Sequence, residues 1–109
     1  MIIDFNNMTE TIQENFKGGE KCVAIKKMED EKNRIMFLSL EPGASIGMHT
    51  HTGDSETIYI VEGKGKVLLD EGEEKLTVGV AHYCPEGHRH SVVNDSDAVL
   101  KFFAIVPKQ

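Results

Sequence analysis

Short apolar runs separated by turn residues dominate the chain from residue 22 to residue 106. Each break between runs contains Gly, Pro, Asn or Asp, which accept positive φ angles or preset a turn. Two runs, residues 35–38 and 102–106, are apolar at consecutive positions, so we expect both of their faces to be buried. The pattern predicts nine strands, at residues 22–28, 34–40, 46–50, 57–62, 65–70, 74–78, 81–84, 90–94 and 99–106.

Nine strands and no convincing helical pattern in 109 residues predict an all-β fold, either a sandwich or a barrel. The first 21 residues differ, because they are polar with isolated apolar positions and a Gly18-Gly19 turn. Residues 9–16 either form a short helical turn or belong to an arm that lies on a partner. We therefore divide the chain into an N-terminal arm or dimer-contact segment, residues 1–21, and a single barrel domain, residues 22–109.

The charge balance argues against a nucleic-acid partner. The chain has 18 acidic and 12 basic side chains, a net charge of −6, and no basic cluster longer than Lys26-Lys27. No apolar run reaches the length of a membrane-spanning helix, and no secretory signal opens the sequence. We therefore expect a cytoplasmic protein without a membrane partner. Cys22 and Cys84 are too few for a disulfide framework or a zinc ribbon and are predicted to be free thiols.

The histidines are concentrated in one part of the chain, since all five lie between positions 49 and 90. His49 and His51 are two residues apart, so their side chains project to the same side if residues 48–52 are extended. Imidazole nitrogens bind divalent transition metals at about 2.0–2.2 Å, and the carboxylate of Glu56 can join them. A third imidazole must come from elsewhere, and His88 and His90 are both available.

Glycines frame the first histidine pair at fixed distances. The order is Gly43, five residues, His49, one residue, His51, four residues, Glu56, six residues and Gly63. This spacing resembles the first sequence motif of the cupin superfamily at every anchor position.

A second stretch carries the partner motif. Its order is Gly79, five residues, Pro85, one residue, Gly87, two residues, His90, three residues and Asn94. Fifteen residues separate the two motifs, as in compact single-domain bacterial cupins. Two motifs in order with every anchor present are far more specific than an isolated His-x-His, so the chain resembles a small cupin.

The resemblance implies a small antiparallel jelly-roll β-barrel. It also implies that His49, His51, Glu56 and His90 hold one divalent transition-metal ion per chain, either Mn, Fe, Ni, Cu or Zn. The motif glycines would occupy turns with backbone angles that are costly for other residues. Val80 departs from the family pattern, in which many relatives have Asp, and this puts only a turn detail in doubt.

Five further side chains near the motifs have two interpretations each. His82 lies on the same side of its predicted strand as Cys84, and His88 is expected to be exposed in its turn. Each of them either lines the cavity as a supporting group or has no part in the site. Tyr59 and Tyr83 either orient a substrate or are ordinary half-buried strand residues. Arg34 either holds a substrate carboxylate at the barrel mouth or is solvated.

Three imidazoles and one carboxylate would leave two positions of an octahedral ion open for a ligand. Apolar side chains would keep the surrounding pocket dry, and the candidates are Leu38, Ile58, Ile60 and Phe102. The expected ligand is a small oxygen-bearing chelator, which means a dicarboxylate, a β-diketone, a catechol-like phenol or an enediol.

The first functional hypothesis is a metal-dependent enzyme. The resemblance to cupins leaves dioxygenase, decarboxylase and isomerase chemistry open, and we favour a dioxygenase-like reaction because it needs fewer additional groups. Decarboxylation would require a proton donor, for which Asp54 and Glu86 are candidates by proximity alone. The alternative hypothesis is a non-catalytic module that binds a small molecule through its metal. Because an open barrel leaves sheet edges to cover, we also expect a homodimer.

Overall fold

The computed structural model describes residues 1–109 and contains ten β-strands and no α-helix. The strands are β1 (Thr11–Glu14), β2 (Cys22–Glu29), β3 (Asn33–Leu40), β4 (Ser45–Thr50), β5 (Glu56–Glu62), β6 (Gly65–Leu68), β7 (Glu73–Leu76), β8 (Ala81–Cys84), β9 (Arg89–Val93) and β10 (Leu100–Pro107). Two single-turn 3-10 helices occupy Phe5–Asn7 and Phe16–Gly18. None of the helical segments has the length and apolar character needed to span a membrane.

Two antiparallel sheets form a jelly-roll barrel in one compact domain. The six-stranded sheet has the order β1-β2-β3-β10-β5-β8, and the four-stranded sheet has the order β4-β9-β6-β7. All nine strands predicted from the sequence are present, with bounds that agree within two residues at either end. The all-β fold and the barrel architecture are therefore confirmed.

The core lies between the two sheets and is built by strict alternation along the central strands. In β10 the side chains of Leu100, Phe102, Ala104 and Val106 are buried, while the residues between them are only partly buried. The expectation that residues 35–38 and 102–106 are buried on both faces was therefore wrong. Only one face of this sheet meets the second sheet, so the other face forms the outer surface of the barrel.

The outer face of the six-stranded sheet carries two rows of mainly apolar side chains. Backbone pairing across β3, β10, β5 and β8 aligns one row, which consists of Phe37, Phe103, Tyr59 and Ala81. The second row consists of Ile35, Ile105, Thr57 and Tyr83. Phe5 from the first 3-10 turn packs on Phe37 and Phe103, with ring centroids 5.8 and 6.2 Å apart. It covers one end of this face, and the end at β5 and β8 is exposed.

Part of the N-terminal arm belongs to the barrel of its own chain. Residues 11–14 form β1, which pairs antiparallel with β2, so the interpretation of residues 9–16 as a helical turn was wrong. Phe16 then packs against the core. The segment Phe16–Gly18 lies so close to β4 that a Cβ atom on Gly47 would stand 2.1 Å from the Lys17 carbonyl oxygen. Contact between this arm and a second copy of the chain stays a prediction.

Motif residues outside the histidine cluster close the turns of the barrel. Gly63 has φ +80°, and a Cβ there would stand 2.2 Å from the Val99 carbonyl oxygen, so both its conformation and its surroundings require glycine. Asn94 is fully buried and donates from Nδ2 to the carbonyl oxygens of Leu40 and Ala98, at 2.8 Å in each case. These contacts tie β9 to β3 and β10 at the end of the barrel.

Candidate metal centre

A β-bulge in β4 directs the first histidine pair into the barrel. β4 contains one residue more than β9 between the pairing positions of Ile46 and His49. Regular alternation would put Ile46 and His49 on opposite faces, but the additional residue brings both to the inner face, together with His51. Gly47 lies within this bulge, and Ser91 Oγ donates a 2.6 Å hydrogen bond to the Ile46 carbonyl oxygen beside it.

Four donor side chains converge on one point at the end of the barrel. His49 and His51 come from β4 and the residue after it, Glu56 begins β5 and His90 lies on β9. Nε2 of His51 and Nε2 of His90 are 3.1 Å apart, and Glu56 Oε1 is 3.3 and 3.0 Å from these two atoms. One donor atom from each of the four residues lies within 4.8 Å of the other three. The structure thus brings together every residue expected to be a ligand.

The Nδ1 atoms of His49 and His51, which lie away from the cluster, each have a hydrogen-bond acceptor. Nδ1 of His49 is 2.7 Å from the Gly47 carbonyl oxygen, and Nδ1 of His51 is 2.7 Å from Asp54 Oδ1. Because these oxygens only accept, the Nδ1 atoms carry the protons in the neutral rings. When both rings are neutral, Nε2 of each therefore carries a lone pair that can bind an ion at the common point.

The donor set fits a divalent metal ion. Two donors about 2.1 Å from one ion and at right angles to each other lie roughly 3.0 Å apart, close to the distances among His51, His90 and Glu56. Imidazole lone pairs facing each other at this distance repel unless a cation or a proton lies between them. His49, His51, Glu56 and His90 would hold the ion, with a net ligand charge of −1 if the three rings are neutral.

The pKa shifts of His49, His51 and Glu56 reflect a competition between burial, which disfavours the charged form, and the neighbouring charged groups, which favour it. Burial lowers the pKa of His49, whereas the hydrogen bond with Glu56 raises the pKa of His51. Burial alone would raise the pKa of Glu56, but the imidazoles of His51 and His90, 3.3 and 3.0 Å from its Oε1, lower it to about 2. The carboxylate is therefore ionised at neutral pH and attracts positive charge to the cluster.

A cavity of about 380 Å³ opens over the cluster, and His49, His51 and Glu56 are part of its wall. The apolar wall consists of Phe16, Ile25, Met36, Leu38, Ile46 and Val106. Of the four residues expected from the sequence to line a dry pocket, only Leu38 does so. Ile58, Ile60 and Phe102 are fully buried and lie outside this wall, because they pack in the hydrophobic core.

The N-terminal segment was the part of the cavity that sequence analysis missed. Gln13, Phe16 and Lys17 contribute to its wall, because β1 pairs with β2 and the following turn packs on β4. Asn15, Lys17 and Lys21 have positive φ values without being glycine, and this is costly backbone geometry that surrounding contacts must hold. The only local signal for this packing was Phe16, an apolar residue two positions before Gly18 in a polar segment.

Other candidate residues lie in different places. His88 is exposed in its turn, as expected, and Tyr59 and Tyr83 are 47% and 60% exposed on the outer face of the barrel rather than near the ligands. His82 is buried, with Nε2 3.0 Å from Nδ1 of His90. It therefore contacts His90 on the side away from the other three candidate ligands.

Three charged candidates flank the cluster. Arg34 lines the cavity, with a guanidinium nitrogen 3.6 Å from Asp54 Oδ2. Asp54 lines it as well and is engaged with His51. Glu86 is exposed and outside the cavity, where it accepts a hydrogen bond from the Gly53 backbone NH.

The family model described as the cupin domain matches residues 36–106. The chain belongs to the cupin family.

The relatives share the whole length of the chain. An oxalate-binding protein from Thermotoga maritima is 27% identical over 113 residues, covering 97% of this chain and 93% of that protein. The crystal structure of a predicted oxalate decarboxylase from Thermotoga maritima superposes with a TM-score of 0.93 at 25% identity, covering all of both chains. A cupin sugar phosphate isomerase from Silicibacter pomeroyi has a TM-score of 0.82 at 20% identity, covering 100% of this chain and 76% of that one, and shares the fold.

Proposed function

We propose that this protein binds one divalent transition-metal ion, either Mn, Fe, Ni, Cu or Zn, through His49, His51, Glu56 and His90. In this function the ion holds a small oxygen-bearing chelating anion in the cavity. The observation that carries it is the convergence of imidazole lone pairs and one ionised carboxylate at the floor of an open cavity. A divalent ion bound there supplies Lewis acidity towards the oxygen atoms of a chelating ligand.

The charges around the cavity favour a dianionic ligand. Its wall contains three cationic side chains, Lys17, Lys27 and Arg34, and three acidic ones, Glu29, Asp54 and Glu56. These charges balance, so the two charges of a divalent ion are left for the ligand to neutralise. A dicarboxylate satisfies this condition and offers two oxygens for chelation. The names of the two Thermotoga maritima proteins point to oxalate as the first ligand to test.

The reaction we favour is dioxygenase-like rather than a decarboxylation. A decarboxylase needs a proton donor beside its ligand, and the cavity carboxylates other than Glu56 are occupied. Asp54 accepts from His51 and faces Arg34. The hydrogen bond from Lys108 Nζ, at 2.8 Å, lowers the pKa of Glu29 to about 2. The carboxyl of Glu29 is therefore ionised at neutral pH, and that of Asp54 is already engaged by His51 and Arg34.

A non-catalytic binding module is the second candidate function. The same lack of a free proton donor favours it, because a ligand chelated in this cavity finds no acid to complete a reaction. For this role the apolar wall and Arg34 would retain the anion and limit its exchange with solvent.

Metal and ligand binding are tested in sequence. Protein purified without chelator or affinity tag is analysed for metal, and we expect about one ion per chain in the wild type and a loss in His51→Ala. Calorimetric titration with oxalate should then show binding only to the metal-loaded protein, with acetate as the monocarboxylate control. A wild type that takes up no metal when supplied with all five ions would refute the proposal.

Turnover separates the two candidate functions. Iron-, manganese- and copper-loaded protein is tested for oxygen uptake with oxalate, a β-diketone and a flavonol, and for carbon dioxide release from oxalate. Oxygen uptake that is absent in His51→Ala supports the dioxygenase-like enzyme. Tight binding of oxalate without turnover of any substrate supports the binding module instead.

We also propose that the chain forms a homodimer through the outer face of the six-stranded sheet at β5 and β8. Tyr59, Val61 and Tyr83 are exposed there beside Ala81, next to the unpaired edge of β8. The patch contains no charged side chain, so two copies can meet on it although each carries a net charge of −6.

The cytoplasmic location expected from the sequence stays a prediction.

The dimer is tested by light scattering on the wild type, on Tyr59→Asp and on Lys26→Asp, the last as a charge control on β2. We expect twice the monomer mass for the wild type and for Lys26→Asp, and the monomer mass for Tyr59→Asp. A wild-type chain that is monomeric at high concentration would contradict this proposal without affecting the metal site.

A further inference from the structure

A chain of hydrogen bonds connects one proposed ligand to the far edge of the four-stranded sheet. Nδ1 of His90 lies 3.0 Å from Nε2 of His82, and Nδ1 of His82 lies 2.8 Å from Oε1 of Glu74. His90 is on β9, His82 is on β8 of the other sheet, and Glu74 is on β7. The series of hydrogen bonds therefore crosses from one sheet to the other and back. His82 is its only residue on the six-stranded sheet.

We propose that His82 and Glu74 are positioning residues that set the tautomer and orientation of His90 for metal binding. The proposal rests on the function proposed above, because it takes His90 to be a ligand. Neither His82 nor Glu74 lines the cavity, so both would act only through His90 and not on a bound molecule.

The proton positions along this series of hydrogen bonds follow from Glu74, the last residue in the series. A carboxylate can only accept a hydrogen bond, so Nδ1 of His82 must carry the proton that it donates to Glu74. Nε2 of a neutral His82 is then a lone pair, and Nδ1 of His90 must donate to it. This leaves Nε2 of His90 unprotonated, 3.0 Å from Glu56 Oε1 and 3.1 Å from Nε2 of His51. Only this arrangement makes His90 a ligand through the nitrogen that faces the cluster.

Without Glu74, the alternative tautomer of His82 becomes available. Its Nε2 would then carry a proton and donate to Nδ1 of His90, which would place the proton of His90 on Nε2, where the metal should bind. His49 and His51 do not have this ambiguity, because a carbonyl oxygen and a carboxylate accept directly from their Nδ1 atoms. His90 alone relies on a second imidazole, which can donate as well as accept.

The backbone explains why Glu74 reaches an interior histidine from a solvent-exposed strand. Glu74 pairs with Val67 and lies two residues before Leu76, and both of these side chains are buried on the inner face. Glu74 shares that face at the open end of the sheet, so its stem enters the barrel while about half of the side chain is exposed. Its neighbour Glu73 points the other way and meets Lys66 at 3.4 Å.

The experiment compares wild type, His82→Phe, His82→Gln, Glu74→Ala and the control Glu73→Ala. Zinc affinity is measured by competition with a chromophoric chelator, and the tautomer of His90 is read from long-range proton–nitrogen correlation spectra of the metal-free protein. We expect His82→Phe to weaken zinc binding by about 10–100-fold, the usual cost of removing an outer hydrogen-bond partner of a ligand. His82→Gln should recover part of the affinity, since its amide oxygen can accept from His90.

Glu74→Ala keeps the buried core intact and provides the decisive second variant if His82→Phe fails to fold. In wild type and Glu73→Ala we expect His90 to carry its proton on Nδ1, and in Glu74→Ala to populate the form protonated on Nε2. Unchanged zinc affinity and an unchanged His90 tautomer in Glu74→Ala would overturn the proposal. A wild type that binds no metal would instead overturn the proposed function.

Discussion

At the scale of single residues, the site depends on how each imidazole is held as much as on where it lies. His49 is held by a backbone carbonyl within its own strand, and His51 by Asp54 three residues further along. His90 has no local acceptor and uses a residue of the opposite sheet. The three proposed imidazole ligands therefore differ in how far their orientation depends on the rest of the barrel, with His90 the most dependent.

Removing one imidazole should abolish high-affinity metal binding. We expect His51→Ala to weaken binding by more than the ~10–100-fold that is typical for an outer-shell partner, because it removes a donor atom itself. His88→Ala is the matched control, since His88 lies in an exposed turn nearby. Metal content after dialysis against a weak chelator measures the difference. Equal metal retention in the two variants would contradict the assignment of His51.

The pKa shift of His51 makes metal binding depend on pH. Its pKa is raised from 6.5, so the metal-free protein holds a proton on His51 at a pH where an ordinary histidine has lost it. Because the ion must displace this proton, affinity should fall as the pH drops through the raised pKa, approaching about tenfold per pH unit.

Burial lowers the pKa of His49, so this residue should release no proton at neutral pH. Chelator competition between pH 6 and pH 8, together with calorimetry in two buffers of different ionisation enthalpy, would count the protons released. An affinity that does not change between pH 6 and pH 7.5 would be inconsistent with the shift at His51.

At the scale of structural elements, β4 is the strand on which the site depends. Its bulge turns His49 inward, its first residues carry the core side chain of Ile46, and its backbone lies directly under the segment Phe16–Gly18. Two glycines permit this last contact. A Cβ on Gly19 would stand 2.1 Å from the Ser45 carbonyl oxygen, and one on Gly47 equally close to that of Lys17.

Gly47→Ala should therefore detach the N-terminal segment from the cavity. We expect a loss of about 1–3 kcal/mol in unfolding free energy, typical of overpacking, and faster hydrogen exchange in residues 15–21. Gly53→Ala is the control, because that glycine has φ +76° but open space where its Cβ would lie. It tests backbone strain without a clash, and should leave exchange in the N-terminal segment unchanged. The same result for Gly47→Ala would show that the segment is not held by this contact.

At the scale of the whole molecule, the two faces of the six-stranded sheet have different roles. The inner face, with Phe102 and Leu38, forms the core, whereas the outer face, with Phe103 and Tyr59, is apolar but reaches solvent. Adjacent residues of β10 therefore contribute to different properties. The inner residue supports folding, and the outer residue holds Phe5 against the sheet surface.

Alanine substitutions at adjacent positions of β10 should separate these properties. We expect Phe102→Ala to lower the unfolding free energy by about 3–5 kcal/mol, because it leaves a cavity in a fully buried site. Phe103→Ala should cost less than half of that, since its ring packs only against Phe5 and the sheet surface. Urea unfolding at a low protein concentration measures both effects. Equal losses would mean that the outer face is as tightly packed as the core.

The sequence by itself determined nine of the ten strands, the turns and the identity of the four proposed ligands. These features are local, because alternation, glycine positions and fixed spacings are carried by neighbouring residues. The same locality explains the errors. The alternation of side chains along a strand cannot reveal a bulge such as that in β4. Consecutive apolar residues such as Phe102 and Phe103 form the same sequence pattern whether the outer face of the sheet meets another sheet or solvent.

Only the tertiary structure decided which distant residues support the site. The pairing of β1 with β2, the cavity wall formed by Phe16 and the chain from Glu74 through His82 to His90 all join residues from separate strands. A sequence pattern places no constraint on such contacts, because they depend on how the two sheets close over each other. The barrel packing brings these side chains together and gives His90 its acceptor.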